Sequence, residues 1–155
     1  MQDNFFRFWF AFIYRNYGAI EIDPEMGTEL ILKDMNTYFG KAFENVAEEF
    51  LINLNKKSML PFKFMEIGRW WDKGEEIDLI AFNKATGEAL FCEVKWKDLR
   101  QRGTEQITEK LKEKAVRVKG KWKSHYCLVA KSIEGKKELG FPAFDLEDME
   151  QAFFK

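Results

Sequence analysis

Two apolar runs of period two, Glu76–Phe82 (EIDLIAF) and Glu88–Trp96 (EALFCEVKW), are separated only by Asn83-Lys84-Ala85-Thr86-Gly87. A five-residue link carrying glycine between two such runs predicts a β-hairpin. A third run, Phe62–Trp71, precedes them across the polar turn Asp72-Lys73-Gly74. On both sides the period changes. Phe39, Phe43, Val46, Ala47, Phe50, Leu51 and Leu54 recur at three- and four-residue spacing and predict a helix from just after Gly40. Ile107, Leu111, Ala115 and Val118 mark a second, basic helix over about Thr104–Lys119. Ser124–Lys131 reads as another strand and Leu146–Phe154 as a short closing helix. This order predicts an α/β fold, a mixed central sheet flanked by helices.

At 155 residues, 46% of them hydrophobic, the chain suits one domain with a real core and excludes a disordered or low-complexity protein. The expectation is a single domain over 1–155 with an N-terminal helical extension over about 1–37. In that extension Asp3 or Asn4 caps a helix running to about Tyr17, stopped by Gly18. Turns follow at Asp23-Pro24 and Met26-Gly27, then a short helix over Thr28–Thr37. The apolar residues Phe5, Phe6, Phe8, Trp9, Phe10, Phe12, Ile13 and Tyr14 occupy more than one helical face. A helix on the surface of a small domain shows one stripe. This one is therefore covered on several sides, or it meets a partner, a second copy of the chain included. Asp3, Arg7 and Arg15 interrupt the run, and it has neither a basic leader nor a small-residue cleavage site. A cytoplasmic protein with no membrane partner is expected.

The formal net charge of -1 excludes a polycation, but the charges are unevenly placed. Residues 95–123 hold 11 basic and 4 acidic side chains. One histidine, His125, and two cysteines, Cys92 and Cys127, cannot build an ordinary zinc site. The cysteines lie in apolar strands and read as buried free thiols, and His125 reads as a structural histidine.

Chemistry concentrates on the third strand. Alternation puts Phe91, Glu93 and Lys95 on one face and Cys92, Val94 and Trp96 on the other. Charged side chains inside an apolar strand are rare unless paired or bound to a metal. Asp78, between Ile77 and Leu79, is a second such carboxylate, and hairpin pairing brings it toward Glu93. Two carboxylates hold a hard divalent cation through oxygen, with water completing the shell. Such a cation polarises a phosphate and lowers the pKa of a water, while a neighbouring lysine stabilises the growing charge. Glu44, early in the strong helix, is a further candidate carboxylate. The plain alternative for Glu93 and Lys95 is a half-buried ion pair.

The segments Gly40–Glu44 (GKAFE), Glu76–Ala81 (EIDLIA) and Phe91–Trp96 (FCEVKW), in that order, resemble the PD-(D/E)xK nuclease superfamily. That group includes archaeal Holliday junction resolvases and many restriction endonucleases. Closer still is the resemblance to the C-terminal domain of the archaeal ATPase family, a domain of unknown function fused behind a P-loop ATPase. It runs from FFRFWF through GRWW and EIDLIA to EVKW, about Asp3 to Lys131. The resemblance implies a restriction-endonuclease-like sheet and a Mg²⁺- or Mn²⁺-dependent hydrolase of DNA phosphodiesters. It makes Asp78 and Glu93 the metal-binding acids, Lys95 the catalytic lysine, and Glu44 the helix carboxylate that completes the metal shell. Glu48, one turn on, is the alternative to Glu44, and Gln106 matches a glutamine many members carry after the lysine strand. Ile77 stands where the superfamily's name puts a proline. No Walker A sequence occurs, so the implied ATPase module would act in cis or in trans from outside these residues.

Lys97, Arg100, Arg102 and Lys110 follow the lysine strand and are the candidate DNA contacts, since cations on a phosphate backbone dominate affinity. Glu105, Glu109 and Glu113 are interleaved with the basic residues of the helix, which also fits an ordinary solvated face. Trp70 and Trp71 read as packing at the edge of an aromatic core, with base stacking the alternative. The rival to a nuclease is a non-catalytic DNA-binding, docking or regulatory domain.

Overall fold

The computed structural model describes residue 6 and residues 8–154, and the chain divides into two compact units, residues 1–42 and 43–155. Asp3 and Asn4, the expected caps, lie outside the described residues.

The first unit holds a π-helical turn at Trp9–Ile13, a 3₁₀ turn at Tyr14–Asn16 and helix α1, Tyr17–Ile22. It also holds the first part of α2, Pro24–Lys56. Gly18 therefore stands inside a helix and does not end one. The break comes at Asp23, whose backbone is extended at φ -148. Its Oδ1 accepts from the Glu25 and Met26 N–H groups at 3.0 and 3.2 Å, and Pro24 fills the first position, where no N–H is needed. A Cβ on Gly27 would stand 2.7 Å from the Ile20 backbone, so this turn admits no side chain. Phe12 is buried and meets Tyr38 edge-on at 5.4 Å. Phe6, Phe10 and Tyr14 form an exposed ring ladder instead.

Gly40 does not begin a helix either. The short helix expected at Thr28–Thr37 and the one expected after Gly40 are a single helix, α2. An isolated glycine costs about 1 kcal/mol against alanine, too little to break a helix already capped at Asp23. In the second unit α2 buries Phe43, Ala47, Phe50, Leu51 and Leu54, the stripe its spacing predicts.

The sheet has the order β1-β2-β3-β4-β5. Its strands are β1 Glu66–Asp72, β2 Glu75–Asn83, β3 Glu88–Leu99, β4 Lys123–Ile133 and β5 Ala143–Phe144. β1, β2 and β3 are antiparallel in turn, whereas β3, β4 and β5 run parallel. This is the mixed, helix-flanked sheet expected. Helix α3, Gln101–Ala115, makes the crossover between the parallel strands β3 and β4. Helix α4, Leu146–Phe154, closes the chain. β1 starts later than Phe62 because Asn55, near the end of α2, takes the Phe64 backbone. Its side chain accepts from Phe64 N–H at 3.0 Å and donates to Phe64 C=O at 3.1 Å. The two-residue β5 has no period to read and was not anticipated.

One sheet face packs Leu79, Ala81, Cys92 and Val94 against α2 and Met149 of α4. The other packs Ile77, Ile80 and Phe91 against Leu111 and Ala115 of α3. Cys92 and Cys127 are buried free thiols, as expected. Burial, and then the neighbouring Cys127, push the Cys92 thiol well above its ordinary pKa, which leaves it unreactive. Among the described residues no helix is long and apolar enough to cross a membrane.

Candidate functional site

The sheet opens at one point between its second and third strands. β2 and β3 pair from Asn83↔Glu88 up to Leu79↔Cys92. Beyond that pair β2 keeps only β1 as a neighbour, and β3 keeps only β4. The next residues on the two diverging strands are Asp78 and Glu93. A buried amide must find an acceptor, and the Val94 N–H takes Asp78 Oδ2 at 2.7 Å. The carboxylate thus replaces the backbone carbonyl that a continuing ladder would supply.

A bulge aims Asp78. Gly68 pairs with Ile80 and Trp70 with Ile77, so Asp78 and Leu79 together oppose the single residue Arg69. Bulges bend a strand and redirect its side chains. Ile77 and Ile80, three residues apart, consequently share one core cluster, which strict alternation forbids. A second register shift falls on β3 against β4 between Lys95 and Asp98. The acid–Lys strand is therefore distorted on the far side of the site as well.

Asp78 and Glu93 are 8% and 6% exposed, so both charges are almost fully withdrawn from water. The Lys95 ammonium bridges them, 3.1 Å from Asp78 Oδ2 and 2.7 Å from Glu93 Oε1. The two carboxylates cannot stand farther apart than those two contacts end to end. Burial by itself would lower the Lys95 pKa, but hydrogen bonding and charge from Glu93 and Asp78 outweigh it and raise it above the ordinary lysine value. The amine is fully protonated at neutral pH. Lys114, from the last turn of α3, is a second cation here, 3.3 and 3.4 Å from Glu93 Oε1 and Oε2. Sequence reasoning counted Lys114 only as one of the basic residues of the helix. Its position just before buried Ala115 and three residues after buried Leu111 was the signal available.

Glu44 lies beside this group on α2. Arg69 holds its Oε2 at 2.9 Å and also donates to Asn45 Oδ1 at 3.1 Å. Burial first, and then the charge of Asp78, raise the Glu44 pKa, against a smaller opposing pull from Arg69. Glu44 is thus electrostatically coupled to Asp78 without bonding to it. Glu48 is half-buried one turn further on, and Gln106 is exposed on α3. The α3 side chain seen to bond the acidic pair is Lys114. Lys97, Arg100, Arg102 and Lys110 are all exposed. Trp70 packs on the α3-side core, whereas Trp71 is 77% exposed and so does not pack as expected. His125 meets Glu88 at 3.2 Å and the Phe62 ring at 5.2 Å, a structural role. A surface groove of about 590 Å³, lined by residues such as Thr104, Lys112 and Phe141, includes none of the four candidate catalytic residues.

A family profile described as "Archaea bacterial proteins of unknown function", DUF234, matches residues 9–107. The chain belongs to that family. The matched stretch takes in Glu44, Arg69, Asp78, Glu93 and Lys95 and ends before Lys114. The chain is also similar to an uncharacterized protein of Methanocaldococcus jannaschii, with 48% identity over 149 residues. That match covers 96% of this chain and 34% of the relative, so the chain spans about a third of the relative's length. No solved structure matches.

Among the described residues no three His, Cys, Asp or Glu side chains form a group able to hold a metal ion. The centre is two buried carboxylates with two ammonium groups, and a third carboxylate, Glu44, turned to Arg69.

Proposed function

We propose that this DUF234 chain carries a restriction-endonuclease-like, PD-(D/E)xK-type domain that hydrolyses DNA phosphodiesters with Mg²⁺ or Mn²⁺. One observation carries the reading: Asp78 and Glu93, buried on diverging strands, converge on the Lys95 ammonium at 3.1 and 2.7 Å. A merely structural ion pair needs one carboxylate. Desolvating two is costly, and apolar residues of similar volume often serve stability as well or better.

The donor set suits a small hard cation. Mg²⁺ takes one or two carboxylates and keeps several waters, so it needs no cage of three acids. Asp78 and Glu93 would hold the ion, which when bound polarises the phosphate and lowers the pKa of a water. Lys95 places its ammonium where negative charge grows on the phosphate oxygens. Asp78 also fixes the Val94 amide, which keeps β3, and with it Glu93 and Lys95, at a set distance from β2. Arg69 holds Glu44 by a 2.9 Å ion pair, and released from it Glu44 would be the further carboxylate to support the metal shell. In hydrolysis the water oxygen bonds to phosphorus, the bond to the leaving sugar oxygen breaks, and the water's protons pass to the leaving oxygen and to solvent. Exposed Lys97, Arg100, Arg102 and Lys110 offer charge to the backbone of the bound DNA.

The test is cleavage of supercoiled, branched and single-stranded DNA with Mg²⁺ or Mn²⁺ against EDTA, beside Asp78→Ala and Lys95→Ala. Cation-dependent cutting lost in both variants is expected. Cutting that survives both substitutions would refute the assignment.

A second reading rests on the exposed rings of Phe6, Phe8, Phe10, Tyr14 and Tyr17 in the first unit. Under it the chain is a non-catalytic domain that binds DNA without cutting it, or docks onto and regulates a P-loop ATPase module in cis or in trans, or pairs with a second copy of itself. DNA binding without cleavage by the wild type would favour this reading.

A further inference from the structure

The charges at the site balance without any bound ion: Asp78 and Glu93 stand against Lys95 and Lys114. The two lysines are not equivalent. Lys95 is tied to both carboxylates and comes from the same strand as Glu93. Lys114 comes from α3 and has Glu93 as its partner, straddling both carboxylate oxygens at 3.3 and 3.4 Å. Its neighbours on the helix, Leu111 and Ala115, are buried, while the Lys114 side chain is 22% exposed, and a long lysine stem commonly lies on apolar surface with its ammonium toward water. A divalent cation on Glu93 would meet this ammonium at contact distance. Among the described residues Lys114 pairs with Glu93, whereas Lys95 pairs with both acids.

We infer that Lys114 is a positioning residue of the cation site. It holds the Glu93 carboxylate in place while the site is free of metal, and the incoming divalent cation displaces it. This rests on the cation site proposed above. Lys114 therefore competes with the metal, and removing its charge strengthens metal binding. A residue with a purely structural role would weaken binding when removed, or leave it unchanged.

The experiment is calorimetric titration of the full chain with Mn²⁺ alone, for wild type, Lys114→Met, Lys114→Arg and Asp78→Asn. One unit charge about 5 Å from a dication, at an effective dielectric of about 20, suffices for a change of at least about tenfold. Lys114→Met is expected to bind Mn²⁺ at least that much more tightly, with Lys114→Arg close to wild type and Asp78→Asn losing binding. Lys114→Gln replaces the Met variant if circular dichroism shows that variant unfolded. Unchanged or weaker binding by the charge-removing variant, with Asp78→Asn still losing it, overturns the inference and leaves the cation site standing. Absence of Mn²⁺ binding by wild type overturns both.

Discussion

Lys95→Met is the most informative single change, because it removes an ammonium shared by two buried carboxylates. Methionine keeps the length and apolar stem of the side chain, so the loss is chiefly electrostatic. Removing one partner of a buried pair costs about 3–5 kcal/mol because the remaining charge is stranded. Two features reduce that here. The Lys95 side chain is 32% exposed, so water reaches its end of the pair, and Lys114 continues to compensate Glu93. Asp78 retains the Val94 N–H but loses its cation. A cost of about 2–3 kcal/mol in metal-free buffer is therefore expected, just below the range for fully buried pairs. Urea unfolding in EDTA, followed by circular dichroism, measures it. If two carboxylates are what Mn²⁺ binds, the ion restores part of the loss, since a ligand at one hundred times its Kd adds about 2.7 kcal/mol. The double variant Asp78→Asn/Lys95→Met should lose less than the two single losses together, because an amide needs no counter-ion. A Lys95→Met cost below about 0.5 kcal/mol, the range of ordinary surface substitutions, would refute the claim that these charges are coupled and desolvated.

Three further outcomes follow from the packing and charges. Phe50, 1% exposed between α2 and the sheet, meets Phe144 at 5.2 Å, and Phe50→Ala should cost about 3–5 kcal/mol in the same unfolding assay. Asp145 caps α4 through the Asp148 N–H and binds Lys136 at 2.8 Å. Burial opposes its ionisation, but Lys136 and the Asp148 backbone outweigh that and hold its pKa below the ordinary value. Its contribution is present above the ordinary carboxylate range and lost as pH falls through the lowered pKa, and Asp145→Ala should cost about 1 kcal/mol at pH 7 and less in acid. Glu44 has the opposite sign: its raised pKa means that ionisation is penalised in the folded chain, so stability falls as pH rises through it. Arg69→Met should move the Glu44 carboxyl resonance titration further upward, and an unmoved titration would show that the 2.9 Å pair is not formed in solution.

Alternation along β3 alone puts Glu93 and Lys95 on one face, and the short link at 83–87 alone sends Asp78 back toward them. The helical stripe of Phe43, Ala47, Phe50, Leu51 and Leu54 is equally local. Each of these follows from spacing within one element, where geometry repeats every two or 3.6 residues. Breaks between elements were harder to read. Gly18 and Gly40 carry the composition of a stop, yet their small propensity cost is outweighed by neighbouring caps and packed residues. Trp70 and Trp71 are adjacent in sequence, but only one of them packs.

Tertiary structure decided what the acids do. The bulge opposite Arg69, the parting of β2 from β3, and the Asp78 carboxylate on the Val94 amide depend on the register between strands. Lys114 reaches Glu93 only because α3 crosses the sheet at one rotation about its own axis. The sequence determined which charges lie on buried elements and which face of the strand they share. Apart from Glu93 with Lys95, which share a strand, the contacts of those charges join residues 16 to 25 positions apart. No period within a single element sets such distances, so only the packing of strand on strand and helix on sheet could bring them together.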